Sequence, residues 1–153
     1  RPMSARSVSA GPWGRADLVA AARGWLGTPY LHQGALRAVG CDCLGLVRGI
    51  WRELYGREPE TPAAYTPDWA EACGEERLAS AARRHLTDIA VEAADAGDVV
   101  LFRWRRGLPA KHAGILTGPD AMIHAHDGAV VAEVPLGIWR RRIAFAFRFP
   151  GID

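Results

Sequence analysis

The chain has 153 residues, 49% hydrophobic and 24% charged, with a formal net charge of +2. That suits one soluble globular domain with a single sizeable core, and it gives no footing to a general nucleic-acid binder. No apolar run is long enough to span a bilayer, and three cysteines do not make a disulfide scaffold, which points to synthesis in a reducing compartment.

Residues 1–14, "RPMSARSVSAGPWG", lack the apolar segment of a secretory signal. They are expected to form a flexible arm ahead of a domain at 15–153. "RADLVAAARGWLG" predicts a first helix with Leu18, Ala21, Ala22, Trp25 and Leu26 on one face and Gly27 as its stop. "TPYLHQGALRAVG" reads as an extended loop, because Pro29 turns Thr28 away from helix and glycines punctuate the rest of the stretch. A second helix runs from Asp42 or Cys43 to Tyr55, with Leu44, Val47, Trp51 and Leu54 marking its apolar face and Gly56 as its stop. "REPETPAAYTP" is a Pro-rich connector. "DWAEACGEERLASAARRHL" predicts an amphipathic third helix, with Cys73 a buried thiol and Gly74 a weak point.

After "DAGD" the pattern changes period. "DVVLFRW", "HAGILTG", "AMIHAHD", "AVVAEVPL" and "RRIAFAFRFP" read as strands bounded by Gly, Pro or Asp. In the last, Ile143, Phe145, Phe147 and Phe149 alternate with smaller or polar residues, which predicts one buried face. Helices first and strands after make an α+β domain: N-terminal helices packed on one side of an antiparallel sheet of about five strands.

Cys41 and Cys43 flank an aspartate at the head of the second helix. They could be metal ligands, half of a disulfide, core thiols, or a nucleophile with a bystander. A disulfide between them would be strained. A nucleophilic cysteine reacts as thiolate, and a helix N-terminus or a nearby imidazolium lowers its pKa. Only Cys43 lies in the first helical turn, so it is the expected nucleophile and Cys41 the bystander.

Among five histidines, His32 is in the loop and His85 ends the third helix, where a helix-dipole contact explains it. His112 opens one strand, and His124 and His126 lie in the next. Adjacent antiparallel strands can set His112 beside His124, one ring serving the thiol and the other orienting it. His124 and His126 share strand parity; His124 lies deeper, whereas His126 abuts a turn. A zinc held by Cys41, Cys43, His124 and His126 is the competing arrangement, although these pairs lack the usual ligand spacing. The arginine runs 103, 105–106 and 140–142 are either solvated strand ends or a docking surface for an acidic partner or anionic polymer.

"GTPY", "GCDCLGL", "AGDVVLF", "HAGILTG" and "MIHAH", in that order, resemble the NlpC-type cysteine peptidases over residues from about 25 to 149. The spelling "TPYLHQGALRAVGCDCLGLVRGIWRELYG" resembles a branch found among tail genes of bacteriophages and gene transfer agents, with Leu44 where the family usually has Ser. The resemblance implies a papain-like fold that cleaves bacterial peptidoglycan in its stem peptide, typically between D-γ-glutamyl and a diamino acid such as diaminopimelate. It makes Cys43 the nucleophile, His112 the general base and acid, and His124 the orienting third group. It implies that Tyr30 helps hold substrate or the oxyanion, that Asp42 reads a free amino end, and that Asp98 is structural. No metal or organic cofactor is expected.

The expected partner is a tail-tip or baseplate hub that carries the enzyme, made in the cytoplasm without a visible signal, to the periplasmic wall. Trp104, Arg105, Arg106, the segment 139–142 and the N-terminal arm are the expected contacts. An amidase or acyltransferase on the same fold, and a catalytically silent tail component, are the rival functions.

Overall fold

The computed structural model describes residues 13–58 and 76–153. Most of the N-terminal arm, the Pro-rich connector and the first part of the expected third helix, with Cys73 and Gly74, lie outside the described residues.

Helix α1 spans Arg15–Arg23, and Asp17 accepts the Gly14 N–H at 2.8 Å at its start. Leu18 and Ala22 are fully buried, as is Trp25, which lies just past the helix end, whereas Leu26 is 42% exposed. The expected apolar face therefore stops short of Leu26. At Gly27 the chain turns with φ +85°, a backbone that residues with a Cβ rarely adopt. The following loop contains a small antiparallel hairpin, β1 (Ala35–Leu36) and β2 (Gly40–Cys41).

Helix α2 runs over Cys43–Tyr55, as expected, and ends in a left-handed cap at Gly56. Its most buried residues are Gly45, Leu46, Gly49 and Ile50, while the expected row of Leu44, Val47, Trp51 and Leu54 is half-buried. The glycines explain the difference. A Cβ on Gly49 would run into the indole of Trp25, and one on Gly45 into the carbonyl of Gly34. Close approach along this face draws the helix in beyond what the large apolar residues alone would suggest.

Helix α3 is described over Arg77–His85. Then come β3 (Thr87–Ile89), a 3-10 turn at Val91–Ala93, β4 (Val99–Phe102), β5 (His112–Leu116), β6 (Ala121–His124), β7 (Ala132–Pro135), a 3-10 segment at Gly137–Arg142 and β8 (Ile143–Arg148). The last six strands form one antiparallel sheet in the order β3-β8-β4-β5-β6-β7. The sheet thus has six strands rather than about five, the addition being β3 at the edge beside β8. No helix among the described residues is long and apolar enough to cross a membrane.

Two apolar clusters sandwich the sheet. The larger unites Trp25, Leu46 and Ile50 of the helical layer with Leu101, Ile115 and Phe147. Burying each such side chain contributes roughly 1.5–3 kcal/mol. The smaller contains Val100, Phe102, Met122, Leu136 and Ala146, with Trp139 and Ile143 packed against it. Covered on both sides, β4 and β5 are buried along their whole lengths.

This second cover corrects the expectation of one buried face for the last strand. Phe145, Phe147 and Phe149 join the helix-side cluster, but Ile143 joins the other. The β4–β8 register shifts between Leu101 and Phe102, whose partners are Phe145 and Ile143. Such an irregularity changes which face a side chain takes. Before β4, Asp98 is fully buried and holds Arg148 through both carboxylate oxygens, at 3.0 and 2.9 Å, and Arg15 at 3.2 Å. That is the structural role expected of it.

Candidate active site

The nucleophile candidate owes its position to an aspartate. Asp42 is the N-cap of α2 and is 3% exposed. Its Oδ1 accepts the Gly45 N–H at 2.7 Å, and its Oδ2 accepts the Gln33 N–H at 2.8 Å. One carboxylate thereby starts the helix and fastens the preceding loop to it. Cys43 is the first residue inside the helix.

Its sulfur lies against the main chain on both sides of His112. The thiol faces the Lys111 carbonyl oxygen at 4.0 Å, and the N–H groups of Ala113 and Leu44 donate to the sulfur. The β5–β6 register runs over Ile115↔Ile123 and Leu116↔Met122 and stops before Ala113. Cys41, by contrast, is fully buried within the helix-side core.

His112 and His124 are buried, 5% and 6% exposed. His112 Nε2 and His124 Nδ1 are 2.8 Å apart. The expected pairing of these two rings across neighbouring strands is therefore present. His126 lies beyond the end of β6 and is exposed, but its ring stays near, with centroids 5.6 Å from both His112 and His124. Tyr30 is half-buried, and burial, then Asp42 and Cys43, push its phenol up to about 12. It therefore belongs to the electrostatic surroundings of the thiol.

The competing zinc set of Cys41, Cys43, His124 and His126 does not assemble. Among the described residues, the metal-capable group that converges is His112, His124 and His126, without either cysteine.

Sequence reasoning misses the aromatic walls. Trp104 stacks on His112 at 5.6 Å, and Trp139 lies 5.4, 5.2 and 5.6 Å from His112, His124 and His126. From the sequence both are expected at a docking surface. Spacing along the chain carries no sign of these contacts, since the 3-10 segment bearing Trp139 is brought over the sheet only by the fold. Beside them a cavity of about 250 Å³ is lined by Arg103, Arg105, Arg106, Arg141 and Arg142, the last lying over the Trp104 ring at 5.7 Å.

The electrostatics depart from an activated thiolate. Burial, then the Asp42 carboxylate, push the Cys43 thiol up to about 12 against the opposing pull of the Ala113 and Leu44 N–H groups. Burial, then His124 and His126, hold His112 well below the ordinary histidine value. Burial and His126 lower His124 to about 4. These shifts favour the thiol of Cys43 and the neutral rings of His112 and His124 over a thiolate–imidazolium pair. The helix N-terminus, expected to favour thiolate, is outweighed by desolvation and by the carboxylate that caps it.

A profile of the NlpC/P60 family matches residues 27–148. The NlpC/p60 domain of the peptidoglycan hydrolase SagA is similar at TM-score 0.61 and 27% identity, over 88% of this chain and 98% of that one. An NlpC/P60 family protein from Bacillus cereus has TM-score 0.68 and 21% identity, over 95% of this chain and 43% of its own. The peptidoglycan hydrolase RipB of Mycobacterium tuberculosis has TM-score 0.59 and 18% identity, over 88% and 63%. The last two likenesses are of fold alone. Four Burkholderia mallei proteins called 1-deoxy-D-xylulose 5-phosphate reductoisomerase are 35% identical over 98 residues, 61% of this chain and 24% of theirs. The chain spans about a quarter of their length.

Proposed function

The chain belongs to the NlpC/P60 family, and on that premise we propose that it hydrolyses an amide bond in the stem peptide of bacterial peptidoglycan. The bond proposed is the one between D-γ-glutamyl and diaminopimelate. The observation that carries this is the His112–His124 contact at 2.8 Å, beside a cysteine at a helix N-terminus whose sulfur rests against the main chain flanking His112.

The mechanism starts from neutral groups. With Nε2–H donated to His124 Nδ1, His112 presents Nδ1 as its basic nitrogen. As the Cys43 sulfur attacks the acyl carbon, Nδ1 takes the thiol proton. Sulfur is charged only as the bond forms, so the raised thiol pKa is compatible with reaction. The backbone N–H of Cys43 donates to the developing oxyanion; a donor of this kind is typically worth ~10²–10³ in rate. Collapse breaks the C–N bond, and His112 passes its proton to the leaving amine, leaving a thioester. Water then gives a proton to His112 while its oxygen attacks the thioester, and that proton returns to sulfur as the acid leaves. His124 stabilises the imidazolium by accepting from Nε2–H. Tyr30 holds substrate or oxyanion, and Asp42, besides capping α2, supplies negative charge toward a substrate ammonium.

Purified peptidoglycan incubated with the protein should release fragments that mass spectrometry identifies as cut after D-γ-glutamyl, and the Cys43→Ala variant should release none. Wild-type protein that releases none would leave a silent structural component as the better description.

The proposed setting is a phage-like tail or gene transfer agent particle. The protein is made in the bacterial cytoplasm, carried on a tail-tip or baseplate hub, and acts at the periplasmic wall. The arginine-lined cavity supports an acidic face on that hub. Trp104 and Trp139, packed on the histidines, are better assigned to the site than to the hub. A particle structure with the arginines facing solvent would remove this support.

A further inference from the structure

The hydrolysis uses two histidines, and the structure gathers three. One ring nitrogen from each of His112, His124 and His126 lies within 4.8 Å of the other two. His124 and His126 lie nearly parallel, 19° apart, and His112 stands across them at 76° and 74°. Trp104 and Trp139 pack against this group, so that the nitrogen donors converge beside two indoles, with His126 open to solvent.

Three imidazoles suit a borderline divalent transition metal. Tetrahedral zinc with bonds of about 2.0–2.1 Å sets its ligand nitrogens roughly 3.3 Å apart. From the 2.8 Å separation of His112 Nε2 and His124 Nδ1, that pair has to open by about half an ångström. The wider spacings have to close by at most about 1.5 Å, and His126, exposed and past the strand end, is the ring placed to move.

We propose that His112, His124 and His126 form a reversible inhibitory site for Zn²⁺-class divalent ions. It rests on the hydrolytic role proposed for the first two residues. Three protein nitrogens take three tetrahedral positions and solvent takes the fourth, so Cys43 is not needed as a ligand. Coordination uses the His112 Nε2 lone pair, so the ring proton moves from Nε2 to Nδ1, with no net release from that ring. The His124 Nδ1 lone pair, which accepted the hydrogen bond, passes to the metal. His112 then presents N–H rather than a lone pair at Nδ1. It can no longer take the thiol proton, and the metal switches off the base without touching the sulfur.

The test separates this site from ordinary thiol chelation. Co²⁺ and Zn²⁺ are titrated into the full chain as Cys43→Ala, with visible spectroscopy for cobalt and calorimetry for zinc. One equivalent is expected to bind, with tetrahedral cobalt bands and no thiolate charge-transfer band. Adding His126→Ala should weaken binding at least tenfold at unchanged melting temperature. With Cys43 present, Zn²⁺ should inhibit wall hydrolysis reversibly by chelator, and His126→Ala alone should be at least tenfold less sensitive at undiminished metal-free turnover. Loss of binding in Cys43→Ala, or unchanged affinity on adding His126→Ala, would overturn the site. A metal-free wild type without turnover would overturn the hydrolytic role and the switch with it, while calorimetry still decides the metal site.

Discussion

The two apolar clusters flanking the sheet are built for different work. The helix-side cluster is large, fed by α1, α2 and α3, and it buries Trp25, Leu46, Ile50 and Phe147 completely. The other is smaller and is covered by turns and a 3-10 segment, and its edge carries Trp139 against the histidine rings. Cys43 packs against the first, whereas His112 contacts Phe102 and Trp139 of the second. The thiol is thus set by a thick helical layer, and the imidazoles by a thinner aromatic one. Changes on the helical side should act through stability or complete loss of the nucleophile; changes on the histidine side should be graded and sensitive to pH.

The sharpest contrast lies within the cysteine pair. Cys43→Ala is expected to lower wall hydrolysis by at least about three orders of magnitude, with an unchanged circular dichroism spectrum. Cys41→Ala should keep turnover within a few-fold and cost about 1 kcal/mol of stability, since it removes a fully buried sulfur from the core. Activity surviving in Cys43→Ala but lost in Cys41→Ala would reverse the assignment.

On the histidine side, His112→Ala removes the proton carrier and should cost ~10²–10⁴ in kcat. His124→Ala should cost less, and His124→Gln should restore part of the loss, because an amide oxygen can still accept from Nε2–H. Equal and total loss in all three variants would mean that His124 does more than orient its neighbour.

Gly49→Ala tests the helical side alone. The added methyl meets the Trp25 indole, so denaturant unfolding should show a loss of roughly 1–3 kcal/mol, with turnover per folded molecule little changed.

The smallest effect is one of pH. His112 and His124 bind protons less tightly folded than unfolded, so acid favours the unfolded chain. Their contribution is fully present above about pH 6.5 and is lost as pH falls toward about 4, the value at which folded His124 titrates. The melting temperature should decline over that interval by less in His124→Gln than in wild type. The acid limb of hydrolysis should likewise lie below pH 6.5, since neutral His112 is the base. A limb centred near neutrality would contradict a buried imidazole.

Legibility in the sequence tracks the range of the interactions involved. Helix α2 is legible because its start, period and Gly56 stop are local, and the nearness of His112 to His124 because two short strands are consecutive in the chain. The depth of α2 against Trp25 is not, since nothing local to Gly45 and Gly49 tells which neighbours approach them. β3 has only three residues, too few to show a period. The switch of Ile143 to the second cluster depends on an irregular register with β4. Trp104 and Trp139 read in the sequence as surface aromatics, and only the tertiary fold turns them toward the histidines.

Asp42 has a consequence for anyone wishing to rebuild the proposed site. Its two oxygens tie the loop bearing Tyr30 to the helix bearing Cys43, so the placement of both hangs from one carboxylate. A loop grafted over residues 28–41 keeps the Oδ2 contact only if its backbone N–H at position 33 returns to the same place. A graft that moves it leaves Oδ2 without that donor while Oδ1 still caps the helix through Gly45. A transplant that respects the physics has to carry residues 28–45 as one cassette.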